Sequence, residues 1–211
     1  MSGSGASAGV AGPALGTCVA PSPLGYQPTW TPPSAPAVGA CTEQQVSQEY
    51  ALCQFGTSTY DAVACRAFDV APANSMCMSC MFGALGATAV GAILVMPGGQ
   101  WLANRSGCIA LIDGDSSATG CGAKTQAADV CKYGACLAAC TLPVSDADFR
   151  ACQQATENGA CSAYYSQAAC AELPRYASCE YPDFATFYSA MADLFCVSGL
   201  PAAGGEAGAG P

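Results

Sequence analysis

The sequence predicts a mainly α, disulfide-rich single domain of short stapled helices with one β-hairpin. Three observations carry this reading: sixteen cysteines with no histidine in 211 residues, five segments with helix-start signals or helical apolar spacing, and an uncharged stretch over 70–104 interrupted by a turn. Fifteen of the cysteines fall between Cys41 and Cys196. So many thiols are a liability in a reducing cytosol, so a secreted or cell-surface protein in an oxidising compartment is expected. The chain is long enough to bury a real core, so disulfides should supplement that core rather than replace it.

Thr42-Glu43-Gln44-Gln45 is a capping-box pattern, with Val46, Tyr50 and Cys53 following on one face. Ser58-Thr59-Tyr60-Asp61 opens a second helix that ends near Phe68. The run from Ala118 to Tyr133 is alanine-rich and is expected to stop at Gly134. Ser145-Asp146-Ala147-Asp148 starts another, with Phe149 and Cys152 one turn apart. From Asp183 to Cys196 the residues Phe184, Phe187, Tyr188, Met191, Leu194 and Phe195 form an apolar stripe, ended by Gly199 and Pro201.

The uncharged stretch centred on 81–96 is too short and too glycine-rich for a membrane span, and Pro97 closes it. Met96-Pro97-Gly98-Gly99 reads as a turn joining strands near 88–96 and 100–105. Residues 1–40 are rich in Pro, Gly and Ala and read as a flexible leader before a domain at 41–199. The tail 200–211 reads as disordered. The first residues do not read as a signal peptide, so export is expected to rest on a segment already removed or lying outside this chain. Leu15-Gly16-Thr17-Cys18 fits a lipobox poorly because Thr17 precedes the cysteine. Fifteen cysteines in the domain make an odd number, so Cys18 is expected to pin the leader.

Cysteine spacing is regular. Cys41, Cys53, Cys65 and Cys77 have eleven residues between each, and Cys152, Cys161, Cys170 and Cys179 have eight. The intervening residues share little, so no sequence repeat is established. Pairing is left open, since sixteen cysteines allow a very large number of connectivities.

The net charge of −9, with only Arg66, Arg105, Lys124, Lys132, Arg150 and Arg175 as scattered basic residues, disfavours nucleic-acid binding and anionic membranes. Without histidine, Ser-His-Asp and Cys-His arrangements are excluded, so no catalytic residues and no cofactor are expected. Met76, Cys77, Met78, Cys80 and Met81 offer soft donors that suit Cu(I) as an alternative. The commoner reading is two half-cystines on a helix with methionines filling the core, each cysteine bonded elsewhere in the chain. Cys131, Cys136 and Cys140 lack the second Cys/His couple of a structural zinc site. Asp113-Gly114-Asp115-Ser116-Ser117 starts like a calcium loop, but Lys124 stands where its last acid is required. Asn104-Arg105-Ser106 is a glycosylation sequon. Asp146 and Asp148 suit a helix N-terminus better than acid–base catalysis.

The residues 104–111, Asn-Arg-Ser-Gly-Cys-Ile-Ala-Leu, followed by Gly114-Asp115, Cys121, Gln126-Ala127-Ala128, Cys131, Cys136 and Cys140, resemble a pattern in uncharacterised secreted cysteine-rich proteins of myxobacteria. The resemblance spans about 70–197, implies export, and implies no activity. The expected function is therefore a non-catalytic extracellular structural or interaction module. Its partner is expected to be a protein, a glycan or a second copy, with Tyr26 and Trp30 as candidate contacts in the leader.

Overall fold

The computed structural model describes residues 17–18, 26–54, 58–96, 100–141 and 145–199. The chain is mainly helical, with a small sheet and eight disulfides that leave none of the sixteen cysteines free. Helix α1 spans Glu43–Cys53 and is closed by the expected box, in which Thr42 Oγ1 accepts from Gln45 N at 3.1 Å and Gln45 Oε1 accepts from Thr42 N at 2.9 Å. Helix α2, Ala62–Asp69, is capped by Asp61, which accepts from the amides of Val63 and Ala64. A 3₁₀ turn at Pro72–Asn74 leads into α3, Ser75–Met81.

The uncharged stretch becomes the sheet. Strands β1 (Phe82–Ala84), β2 (Ile93–Val95) and β3 (Trp101–Ala103) lie in that order. The expected hairpin is the antiparallel β2–β3 pair, shorter than expected, with Ile93 opposite Ala103. Residues 97–99 of the expected turn lie outside the described residues. The parallel β1–β2 pair was not expected, because Phe82-Gly83-Ala84 carries no alternation to mark it. Val90, Ala92, Ile93 and Leu94 are all buried, and no described helix is long and apolar enough to cross a membrane.

Helix α4, Arg105–Asp113, follows β3 directly. Helix α5 runs from Cys121 to Ala139, so the expected stop at Gly134 is wrong. Glycine weakens a helix by only about 1 kcal/mol relative to alanine, and Cys131–Cys161 and Cys136–Cys152 hold the helix on either side of Gly134. A Cβ at Gly134 would meet nothing within 4 Å. Gly134→Ala is therefore expected to raise stability by about 0.5–1 kcal/mol, read as a shift in urea midpoint. Helices α6 (Asp146–Asn158, capped by Ser145) and α7 (Ser162–Gln167) precede 3₁₀ turns at Ala168–Glu172 and Pro174–Cys179. Helix α8, Phe184–Ala192, passes into a π-helical turn at Asp193–Val197.

The cysteine rhythm resolves into two nested sets. Cys53–Cys65 closes the α1–α2 hairpin and Cys41–Cys77 encloses it. Cys136–Cys152, Cys131–Cys161, Cys121–Cys170 and Cys108–Cys179 form a ladder, each rung enclosing the one before, that zips α4 and α5 to the following 146–179 segment. Cys18–Cys140 and Cys80–Cys196 tie the ends to this frame.

Residues 26–40 differ from the flexible leader that their composition implied. Ser34 N donates to Val90 O at 2.8 Å, Ala37 N to Phe195 O at 2.7 Å and Cys41 N to Cys196 O at 2.9 Å. Thr31 is fully buried, exchanging hydrogen bonds with the Gln126 side chain at 2.8 and 3.1 Å. A buried amide side chain needs such partners, so Gln126 fixes this segment across the domain.

The main core joins α1, α3, α4, the sheet and α8 around Tyr188, Phe195, Met81, Ile93 and Ile109. The Tyr188 ring lies 5.0 Å from Tyr50 and 6.2 Å from Trp101.

Candidate interaction groove

The segment singled out for its soft donors does not assemble a metal centre. Cys77 is bonded to Cys41 and Cys80 to Cys196, so neither sulfur is a thiolate, the form a metal binds. Met81 is fully buried and Met78 packs against the core, while Met76 points outward with 64 % of its surface exposed. Helix α3 thus separates these donors onto different faces. Cys131, Cys136 and Cys140 likewise each bond a different partner: Cys161, Cys152 and Cys18.

What α3 does form is one wall of a groove. Met76, Ser79 and Cys80 face the 34–40 segment across a concavity of about 370 Å³. Val38, 65 % exposed, stands on the opposite wall with Ala35, Ala37 and Ala40. Both side chains are largely exposed on one groove, which makes it an apolar opening in an acidic protein. Both walls are held in place: Cys41–Cys77 joins the residues next to Ala40 and Met76, and Cys80, in the groove itself, is bonded to Cys196. Sequence reasoning marked Met76 but for different chemistry, and it missed Val38 because nothing in the leader's composition signals a wall.

A second groove of about 350 Å³ lies between α1 and α8, lined by Glu43, Val46, Tyr50, Ser189 and Asp193 among others. Glu49, beside Tyr50 in sequence, is buried to 1 % exposure. Tyr188 donates a hydrogen bond to Glu49 Oε2, and Oε1 has no hydrogen-bond partner among the described residues. Burial first, and then the nearby Asp69 carboxylate, push the Glu49 carboxyl up to about 8. This side chain is not among the residues lining the α1–α8 groove.

A polar cluster lies on α5. Lys132 Nζ donates to Glu157 at 2.7 Å and sits over the Tyr165 ring at 5.4 Å, while Tyr165 donates to Asp129 at 3.4 Å. Burial raises the Asp129 carboxyl despite Lys132 and Arg105 nearby. Burial also works against the Lys132 charge, but Asp129 and Glu157 outweigh it and hold the ammonium. Arg105 pairs with Glu180 and Glu172. These groups satisfy one another, as partly buried charges must.

The remaining sequence candidates are structural. Asp113 pairs with Arg175 at 3.3 Å and accepts from Tyr176 at 2.5 Å, and Asp115 accepts from Ser117 N at 2.9 Å, so this loop is a helix end and a turn. Asn104 is 2 % exposed, accepts from Gly107 N and donates to Gly91 O at 2.7 Å. Its sequon is thus a buried helix cap in the folded chain. Asp148 completes the Ser145 cap, and the side chain of Asp146 lies outside the described residues. Tyr26 donates to Ala127 O at 3.1 Å and packs edge-on to Tyr164, and Trp30 donates to Ser116 O at 2.9 Å. Both aromatics therefore hold residues 26–40 against the domain.

No protein-family model matches the chain, and no curated protein or solved structure matches it either.

Proposed function

We propose that this chain is a non-catalytic, extracellular interaction module that presents the Val38–Met76 groove to a partner. The observation that carries the reading is the exposure of these two apolar side chains on walls locked by disulfides. A groove fixed before binding loses little conformational freedom on association, which favours affinity per unit of area. The eight cystines support an oxidising compartment, where such bonds persist. The acidic balance favours a neutral or cationic partner surface over a polyanion. The partner is a protein, a glycan or a second copy.

The test compares the wild-type chain with a Val38→Asp, Met76→Glu double variant. Both are applied to glycan arrays and to immobilised wild-type chain, and both are sedimented alone. One saturable interaction is expected, lost in the variant by about tenfold or more while the thermal transition stays in place. Equal binding by the two proteins, or catalytic turnover that survives the double substitution, would overturn the reading.

A further inference from the structure

Two of the eight disulfides sit against each other. The sulfurs of Cys18, Cys140 and Cys152 all lie within 4.8 Å of one another, although Cys18–Cys140 and Cys136–Cys152 are the bonded pairs. Disulfides exchange when a thiolate attacks a disulfide sulfur, so each pair here has a sulfur of the other within short reach. Access is graded across the cluster. Cys18 is half-buried, Cys140 and Cys152 are 8 % and 6 % exposed, and Cys136 is fully buried. An incoming thiolate therefore meets Cys18 first.

We propose that Cys18 is a site of covalent capture for an external thiol, made persistent by relay of the displaced sulfur from Cys140 to Cys152. This goes beyond the groove reading and does not depend on it. In the first step the thiolate of an external thiol bonds to Cys18 Sγ. The Cys18–Cys140 bond breaks, and its electron pair leaves on Cys140 Sγ. In the second step Cys140 Sγ bonds to Cys152 Sγ, the Cys136–Cys152 bond breaks, and Cys136 leaves as the thiolate. Cys136 then takes up the proton that the external thiol gave up. Two disulfides and one thiol enter, two disulfides and one thiol leave, and no oxidant or reductant is consumed.

The surroundings favour this pair over the half-exposed Cys53–Cys65. Phe149 and Ala139 pack against the sulfur cluster, and the Asp148 backbone carbonyl lies 3.8 Å from Cys18 Sγ. At Cys53–Cys65, by contrast, the Asp69 carboxylate oxygens stand 3.9 and 3.6 Å from the two sulfurs and repel an anionic nucleophile. The final thiol is also well placed to stay. Cys136 Sγ is 3.4 Å from Thr156 Oγ1, in a site closed to solvent, so it finds a polar neighbour and meets no outside disulfide. Residues 26–40 remain held by Gln126 throughout, so the captured group stays attached to a folded domain.

The test incubates the fully oxidised chain with reduced glutathione in one arm and a single-cysteine peptide in the other. Acid quenching, alkylation and peptide mapping follow. The expected product carries the probe on Cys18, a Cys140–Cys152 bond and an alkylated Cys136 in the same molecules. Capture of the peptide but not glutathione, or the reverse, identifies the source of the thiol and supports the site either way. Adducts spread over Cys53, Cys65, Cys80 and Cys170 with no excess at Cys18 would overturn capture. A Cys18 adduct with alkylated Cys140 and an intact Cys136–Cys152 would overturn the relay. In a Cys136→Ala, Cys152→Ala variant the adduct should collapse at least about tenfold faster once probe is removed, because Cys140 then attacks back. If that variant does not fold, the wild-type map decides alone.

Discussion

Gly91→Ala is expected to prevent accumulation of folded protein, with a loss above about 4 kcal/mol, the exceptional end of single-substitution effects. A Cβ at position 91 would stand 1.6 Å from the carbonyl oxygen of Cys80 and 2.8 Å from its carbonyl carbon. Both atoms belong to backbone, so no rotamer change relieves the overlap. The two sides of the contact are also fixed. Cys80 is bonded to Cys196, Val90 and Ala92 are buried, and the Gly91 carbonyl accepts from Asn104. The comparator is Gly134→Ala, where the same added methyl meets open space. Yield of oxidised monomer and urea midpoint should separate the two by opposite signs. A Gly91→Ala protein with a wild-type midpoint would refute this account of the contact between residue 91 and the end of α3.

The second large effect is on the pH dependence of stability. Glu49 is buried, its Oε1 lacks a partner among the described residues, and its folded-state pKa of about 8 stands above the reference of 4.5. Below pH 4.5 both folded and unfolded chains hold this proton, and the group carries no penalty. Between 4.5 and 8 the unfolded chain gives it up while the folded chain keeps it, so stability falls as pH rises through this window. Above 8 the loss levels off, at a few kcal/mol in order of magnitude. Glu49→Gln keeps an acceptor for the Tyr188 hydroxyl and removes the proton. It is expected to flatten the profile and to be the more stable protein at pH 8.5. Denaturation midpoints at pH 5, 7 and 8.5 test this. Parallel profiles for wild type and variant would sink the assignment.

Local signals in the chain were legible because they act over a few residues. The Thr42 box, the Asp61, Ser145 and Asp183 caps and the stripe around Tyr188 each depend on neighbours within a turn or two. What stayed hidden depends on distant residues. Thr31 gives no local hint that Gln126, far along the chain, will bury it. Strand β1 exists because β2 lies beside it, and α5 continues past Gly134 because cystines on both sides hold it. Cysteine spacing was readable while partner choice was not. The equal intervals at Cys41, Cys53, Cys65 and Cys77 suit several pairings, and only the α1–α2 hairpin selects the nested one. At the groove, Met76 was conspicuous in the sequence, but its role follows from Val38 arriving opposite it.

The nested ladder sets an order in which the cystines close most easily as the chain folds. Cys136–Cys152 spans 16 residues, and the rungs beyond it span 30, 49 and 71. Each rung, once closed, shortens the free loop that the next must gather, so closure from the inside outward is the entropically easy direction. The hairpin pair Cys53–Cys65, only 12 apart, closes a short loop of its own without waiting for the ladder. Cys18 and Cys80 cannot follow that rule, because their partners lie 122 and 116 residues away in sequence. Each must therefore wait for a distant segment, and Cys41 is the mismatch nearest in sequence to Cys18. Refolding from the reduced chain is therefore expected to be limited by these two long closures, and to be sped by a disulfide isomerase that keeps mispaired cysteines reversible.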